Sequence, residues 1–275
     1  MDWRQGRRSD NVEDRRGGGG GRLSLGAVAI VVVVSLLLGK NPLEMLGLVE
    51  QATQAVPQQP APGTADANDP RVDFVRAILG ETEDVWTPLF AASGQRYEDP
   101  HLVLYSGSIQ SGCGGASASS GPFYCPQDHK VYLDLSFFDQ MRARLGGGGD
   151  FAQAYVIAHE VGHHVQTLLG LAPQTAHERG AAGSSVRREL QADCFAGVWA
   201  YHAQQRHHWL QDGDVASALN TATAIGDDRL QKQSQGYTVP ESFTHGTSAQ
   251  RVRWFRTGFE SGDPQRCDTF SATQL

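Results

Sequence analysis

The 275-residue sequence predicts an α+β fold, mostly helical with a small β-sheet, preceded by a single transmembrane helix. Three observations carry that reading. Beyond residue 70, apolar residues recur mainly at three- and four-residue spacings, the repeat of helices with one buried face. Two short runs, 102–105 and 131–138, instead carry β-branched and aromatic residues at near-alternating positions, as strands do. Ahead of both lies an uncharged run, 23–39, whose centre is almost wholly Val, Ile, Leu and Ala.

In chain order, residues 1–22 are polar and Gly-rich, with five consecutive glycines at 17–21, and are expected to form a disordered tail. As a helix, residues 23–39 would span about 25 Å, near the short limit for a hydrocarbon core of about 30 Å. A buried core helix is the alternative, but a Gly-rich tail and a Pro/Gln-rich linker leave it no core to join. A cleavable signal peptide is the stronger rival, yet no small-x-small site closely follows Leu38. The expectation is an uncleaved anchor. Arg4, Arg7, Arg8, Arg15, Arg16 and Arg22 precede it, whereas Lys40 is the only basic residue between it and Arg71. The positive-inside rule then puts the N-terminus in the cytoplasm and the remainder outside. Residues 40–70 read as a linker, rich in Pro, Gln and Ala from 51 onwards. Residues 71–275 suit one domain. The net charge of −7 is modest, and no dense basic patch with interleaved aromatics argues for a nucleic-acid partner.

Within that domain, residues 72–80, continuing to Phe90, read as a helix. The two strands follow, then helices over 151–169, 185–204, 214–233 and 248–262. The helix over 151–169 is the best marked. Asp150 stands in the N-cap position after the Gly146 to Gly149 run, and Gly170 is a natural stop. Phe151, Ala154, Tyr155, Ala158, Val161 and Val165 fall on one side.

This helix carries His159-Glu160-Val161-Gly162-His163, an H-E-x-x-H. Imidazoles at i and i+4 lie one turn apart on one face, so both can reach a single Zn2+, and Glu160 can take a proton from a water on that metal. A catalytic zinc needs a third protein ligand. The metzincin continuation would require Gly at 166 and His at 169, where this chain has Gln166 and Leu169. The better candidate is Glu189, in the helix over 185–204. Asp193 shares its face to within roughly 40° and can accept the free N–H of a ligand histidine. Cys194 is turned about 140° away from Glu189, and His164 from His159 by the same angle, which argues against both as ligands. The plainer alternative makes Glu189 and Asp193 a solvated acidic pair.

Four longer segments resemble the bacterial neutral zinc metallopeptidase family: G-P-F-Y-C-P-Q-D-H-K-V-Y-L-D-L-S-F-F from Gly121, H-E-V-G-H-H-V-Q from His159, E-L-Q-A-D-C-F-A-G-V-W-A from Glu189 and F-T-H-G-T-S-A-Q-R-V-R-W-F from Phe243. The resemblance covers about 69–270. It implies a zincin-like domain similar to gluzincins, with His159, His163 and Glu189 on one zinc and Glu160 as general base. It also implies that the strand at 131–135 forms a cleft edge to which an extended peptide could add. A plain sheet strand would read the same way. His245 and Arg251, in an H-G-x-S-x-x-R, are similar to the His-Pro and Arg pattern that lines the cleft in membrane-associated gluzincins, although Gly246 stands in place of the proline. A helix-capping His245 and a structural ion pair for Arg251 are the alternatives.

All four cysteines lie in the expected exported part, and three pairings are formally possible. Cys113 and Cys125 bracket a Gly/Ser-rich loop. The expected bridges are Cys113 with Cys125 and Cys194 with Cys267, the second tying the C-terminal tail to the Glu189 helix. Free buried thiols are the alternative. Together these readings describe a membrane-anchored, extracytoplasmic zinc metallopeptidase acting on a peptide or protein. A catalytically idle zinc-bound module for envelope proteins and a zinc hydrolase of a non-peptide amide compete with it.

Overall fold

The computed structural model describes residues 1–16, 69–144, 149–171, 178–211, 213–224 and 226–275. The expected span at 23–39 lies outside them. Among the described residues no helix is long and apolar enough to cross a membrane.

A four-stranded sheet, order β1-β2-β6-β5, combines β1 (Val12–Asp14), β2 (His101–Tyr105) and β6 (Lys130–Asp134) in parallel, with β5 (Phe123–Cys125) antiparallel on β6. A hairpin of β3 (Ser108–Ser111) and β4 (Gly114–Ser117) stands beside it. The residues expected to form one strand over 131–138 divide, because Ser136 opens helix α2 (Ser136–Arg144) with its amide held by the Asp134 carboxylate at 2.9 Å. Lys130–Asp134 is also an interior strand, paired on both sides, and not a cleft edge. Among the described residues, the edge strand on that side is β5.

Helix α1 (Pro70–Ala92) starts at Pro70 because the Asp69 side chain accepts the Arg71 amide and proline suits the first turn. It buries Val75, Ile78, Leu79, Val85 and Trp86. Helices α3 (Asp150–Leu168), α4 (Ser184–His207) and α7 (Ser248–Ser261) complete the core. Asp150 is the first helical residue of α3, and Gly149 is the N-cap. Helices α4 and α7 touch backbone to backbone: a Cβ on Gly197 would fall on the Phe255 carbonyl, and one on Gly258 on the Cys194 carbonyl. The helix expected over 214–233 is two, α5 (Asp214–Ala224) and α6 (Asp227–Gln235), the second N-capped by Gly226. Disulfides join Cys113 to Cys125 and Cys194 to Cys267.

The N-terminus corrects the sequence reading most. Residues 1–16 are not a disordered tail. Trp3 is 8 % exposed, edge-on to Phe74 at 5.3 Å, and its indole N–H donates to Asp150 Oδ2 at 2.9 Å. The Met1 ammonium pairs with Asp214, Arg8 grips Asp73 with two nitrogens, and Arg7 reaches Glu83 and Asp84. Of the basic residues that suggest a cytoplasmic flank, Arg7 and Arg8 are instead matched to acidic groups on α1, and Arg15 and Arg16 pair with Glu13 and Asp14. Arg16 and Asp69, which flank 17–68, form an ion pair of 2.8 Å. The N-terminus thus lies on the same side as the domain, and the expected separation of the two across a membrane does not hold.

Candidate metal centre

Helices α3 and α4 cross where Gly162, inside the H-E-x-x-H, lies against Ala192. A Cβ there would come 2.9 Å from the Ala192 carbonyl oxygen. The small residue lets α4 approach closely enough for Glu189 to meet the histidines. Glu189 Oε2 lies 3.3 Å from His159 Nε2 and 3.5 Å from His163 Nε2, with the two rings nearly perpendicular at 84°. One donor atom from each of the three residues falls within 4.8 Å of the others. Two imidazole nitrogens and a carboxylate oxygen converging from helices form the donor set that zinc takes in catalytic sites, so the residues fit that ion. Burial favours the neutral Glu189 acid, but His163 and His159 outweigh it and hold the carboxyl well below its usual range. Glu160, next to the first histidine, is 8 % exposed.

Behind this face lies a buried polar group. Asp193, wholly buried, accepts from His159 Nδ1 at 2.9 Å and from the Tyr155 hydroxyl at 2.5 Å. Arg251 donates to both its oxygens, from Nε at 2.9 Å and Nη2 at 2.8 Å, and Nη2 also donates to the Tyr155 oxygen at 3.2 Å. Burial raises the Asp193 pKa, but Arg251 and His159 lower it further, so the carboxylate is charged. For His159, burial opposes protonation, yet Asp193 and Glu189 push the ring to about 10. A metal ion bound there would displace a proton. Arg251, expected to line the cleft, is 2 % exposed and belongs to this internal group.

His163 Nδ1 instead meets Gln166 Oε1 at 2.8 Å. His164 faces the other way, with Nε2 on the Glu98 carbonyl and Nδ1 at the Tyr124 hydroxyl, and burial lowers its pKa to about 4. His245 lies in the segment before α7, whose N-cap is Thr247. One oxygen of Asp227 accepts the amides of Thr244, His245 and Gly246, and the other lies 3.3 Å from His245 Nδ1. The His245 pKa is raised, first by Asp227, against burial, and also by the charge of Glu189. Sequence reasoning missed Tyr155, Gln166, Gln191 and Asp227. Helical spacing signals only the first two: Tyr155 stands four residues before His159 and Gln166 three after His163.

Residues 1–270 match the model of a family described as "Putative neutral zinc metallopeptidase". The match includes the docked N-terminal segment, which the resemblance read from the sequence motifs did not reach. The chain is 50 % identical to the uncharacterized protein YpfJ of Escherichia coli, over 98 % of this chain and 99 % of that one. It is 45 % identical to the uncharacterized protein Rv2575 of Mycobacterium tuberculosis, over 88 % and 86 %. No solved structure matches it.

Proposed function

The chain belongs to the neutral zinc metallopeptidase family, and from that premise we propose that it hydrolyses peptide bonds in peptides or proteins, with one zinc held by His159, His163 and Glu189. The observation that carries the reading is the approach of both histidine Nε2 atoms to one Glu189 oxygen. Bound there, zinc would polarise the scissile carbonyl and lower the pKa of water toward about 7. Glu160 accepts the proton of the attacking water and passes it to the leaving amine. Asp193, held charged by Arg251, orients His159. His245, aligned by Asp227, donates to the oxygen on which charge develops. The two disulfides suit an oxidising, extracytoplasmic compartment. Attachment to a membrane through 23–39 is part of this proposal.

The test is chelator-sensitive cleavage of casein or a quenched peptide library by the full-length protein. Glu160→Gln should keep its zinc and lose roughly 10²- to 10⁴-fold in rate. Wild-type turnover in that variant would reject Glu160 as base. Zinc binding with no cleavage of any peptide would favour the idle binding module or a non-peptide amide.

A further inference from the structure

A file of hydrogen bonds runs from the second histidine of the metal centre to the C-terminal disulfide, and its direction is fixed by chemistry. His163 Nδ1 meets Gln166 Oε1 at 2.8 Å; Gln166 Nε2 lies 2.7 Å from the Arg188 carbonyl and 3.0 Å from Gln191 Oε1; Gln191 Nε2 lies 2.9 Å from the Cys267 carbonyl. Gln166 and Gln191 are 1 % and 3 % exposed, so reversing either amide would strand polar atoms away from water. A backbone carbonyl only accepts. The Cys267 carbonyl therefore requires the amino group of Gln191, which turns Gln191 Oε1 toward Gln166. The Arg188 carbonyl and that Oε1 both require the amino group of Gln166, which turns its own oxygen toward His163. His163 must then donate from Nδ1, which leaves the lone pair on Nε2, the atom that faces Glu189.

We propose that Gln166 and Gln191 are positioning residues that set the tautomer and ring orientation of His163, anchored at the far end by Cys267. The inference rests on the zinc reading given above. It assigns the two histidines different partners: a charged aspartate for His159 and a neutral amide relay for His163. Cys194 lies one turn beyond Gln191 on α4, so the Cys194–Cys267 bridge holds the anchoring carbonyl against the residue that uses it.

The experiment compares zinc affinity, by competition with a chromophoric chelator, in full-length wild type, Gln166→Leu, Gln191→Leu and the double variant, with zinc-free melting temperatures as the control for folding. Gln166→Leu should bind zinc roughly 10- to 100-fold more weakly, the usual cost of losing a ligand's hydrogen-bond partner. Gln191→Leu should lose less, because the Arg188 carbonyl still orients Gln166. The double variant should match Gln166→Leu, since Gln191 acts only through it. A wild type that binds no zinc overturns the metallopeptidase reading and this proposal together. Zinc-binding wild type with unchanged affinity in Gln166→Leu, or additive losses in the double variant, overturns the relay alone. If Gln166→Leu does not fold, Gln191→Leu decides, and wild-type affinity in that variant is the overturning result.

Discussion

Arg251 separates two accounts of the site. If its guanidinium met the substrate, Arg251→Met would abolish turnover and leave the fold intact. The structure indicates the opposite. Its side chain is 3 % exposed and that of Asp193 is fully buried, with three nitrogen–oxygen contacts joining Arg251 to Asp193 and Tyr155. Removing Arg251 leaves the buried Asp193 carboxylate with the His159 ring as its remaining counter-charge, and breaking such a buried pair costs about 3–5 kcal/mol. Total stabilities run to about 5–15 kcal/mol, and in a domain of this size each kcal/mol moves the melting temperature by about 2–4 °C. Arg251→Met should therefore melt roughly 6–20 °C lower even without zinc. Arg251→Lys should not restore it, because one ammonium cannot place donors on both Asp193 oxygens and Tyr155. Adding Asp193→Asn to Arg251→Met should recover part of the loss, since the stranded charge is gone. Calorimetry of the zinc-free proteins reads the first effect, and chelator competition reads the loosening of His159. Full zinc loading, unchanged melting and lost turnover in Arg251→Met would refute the buried-pair argument and place Arg251 at the reacting atoms.

His245→Ala should lower turnover by about 10²- to 10³-fold at full zinc content with melting close to wild type; a drop in melting with activity per folded molecule intact would make His245 structural. Asp227→Asn should weaken turnover less, and equal loss in both variants would show that Asp227 supplies more than alignment. Trp3→Ala removes a buried indole and its bond to Asp150, at a cost of about 3 kcal/mol, so the domain should melt roughly 6–12 °C lower; unchanged melting would mean that residues 1–16 are not docked in solution. The folded-state pKa values of Glu13, Asp14, Asp69 and Asp73 lie below their ordinary values, Asp73 through Arg8 and the others through basic partners that outweigh burial. Their contribution is present above the unfolded values and lost as pH falls, so hydrogen exchange in residues 1–16 should accelerate as pH drops from about 5 to about 3. Exchange independent of pH over that window, after correction for the intrinsic rate, would dismiss these ion pairs as the clasp.

The sequence alone determined what local periodicity governs. Helix α3 and the pairing of His159 with His163 follow from a four-residue spacing, because one helical turn fixes which side chains meet. Glu189 and Asp193 were legible for the same reason, each on one face of a second helix. Tertiary structure decided whatever depends on partners remote in sequence. Arg251 moved from the cleft to the interior because Asp193, fifty-eight residues away, is its counter-charge. Residues 130–134 lie inside the sheet because β5 covers one side and β2 the other, and no alternation of side chains reports which strands will flank a strand. The first sixteen residues looked too polar to fold on their own, and on their own they bury little. Their order comes from an acidic helix that begins more than fifty residues later, where Asp73, Glu83 and Asp84 meet arginines whose spacing carries no local signal.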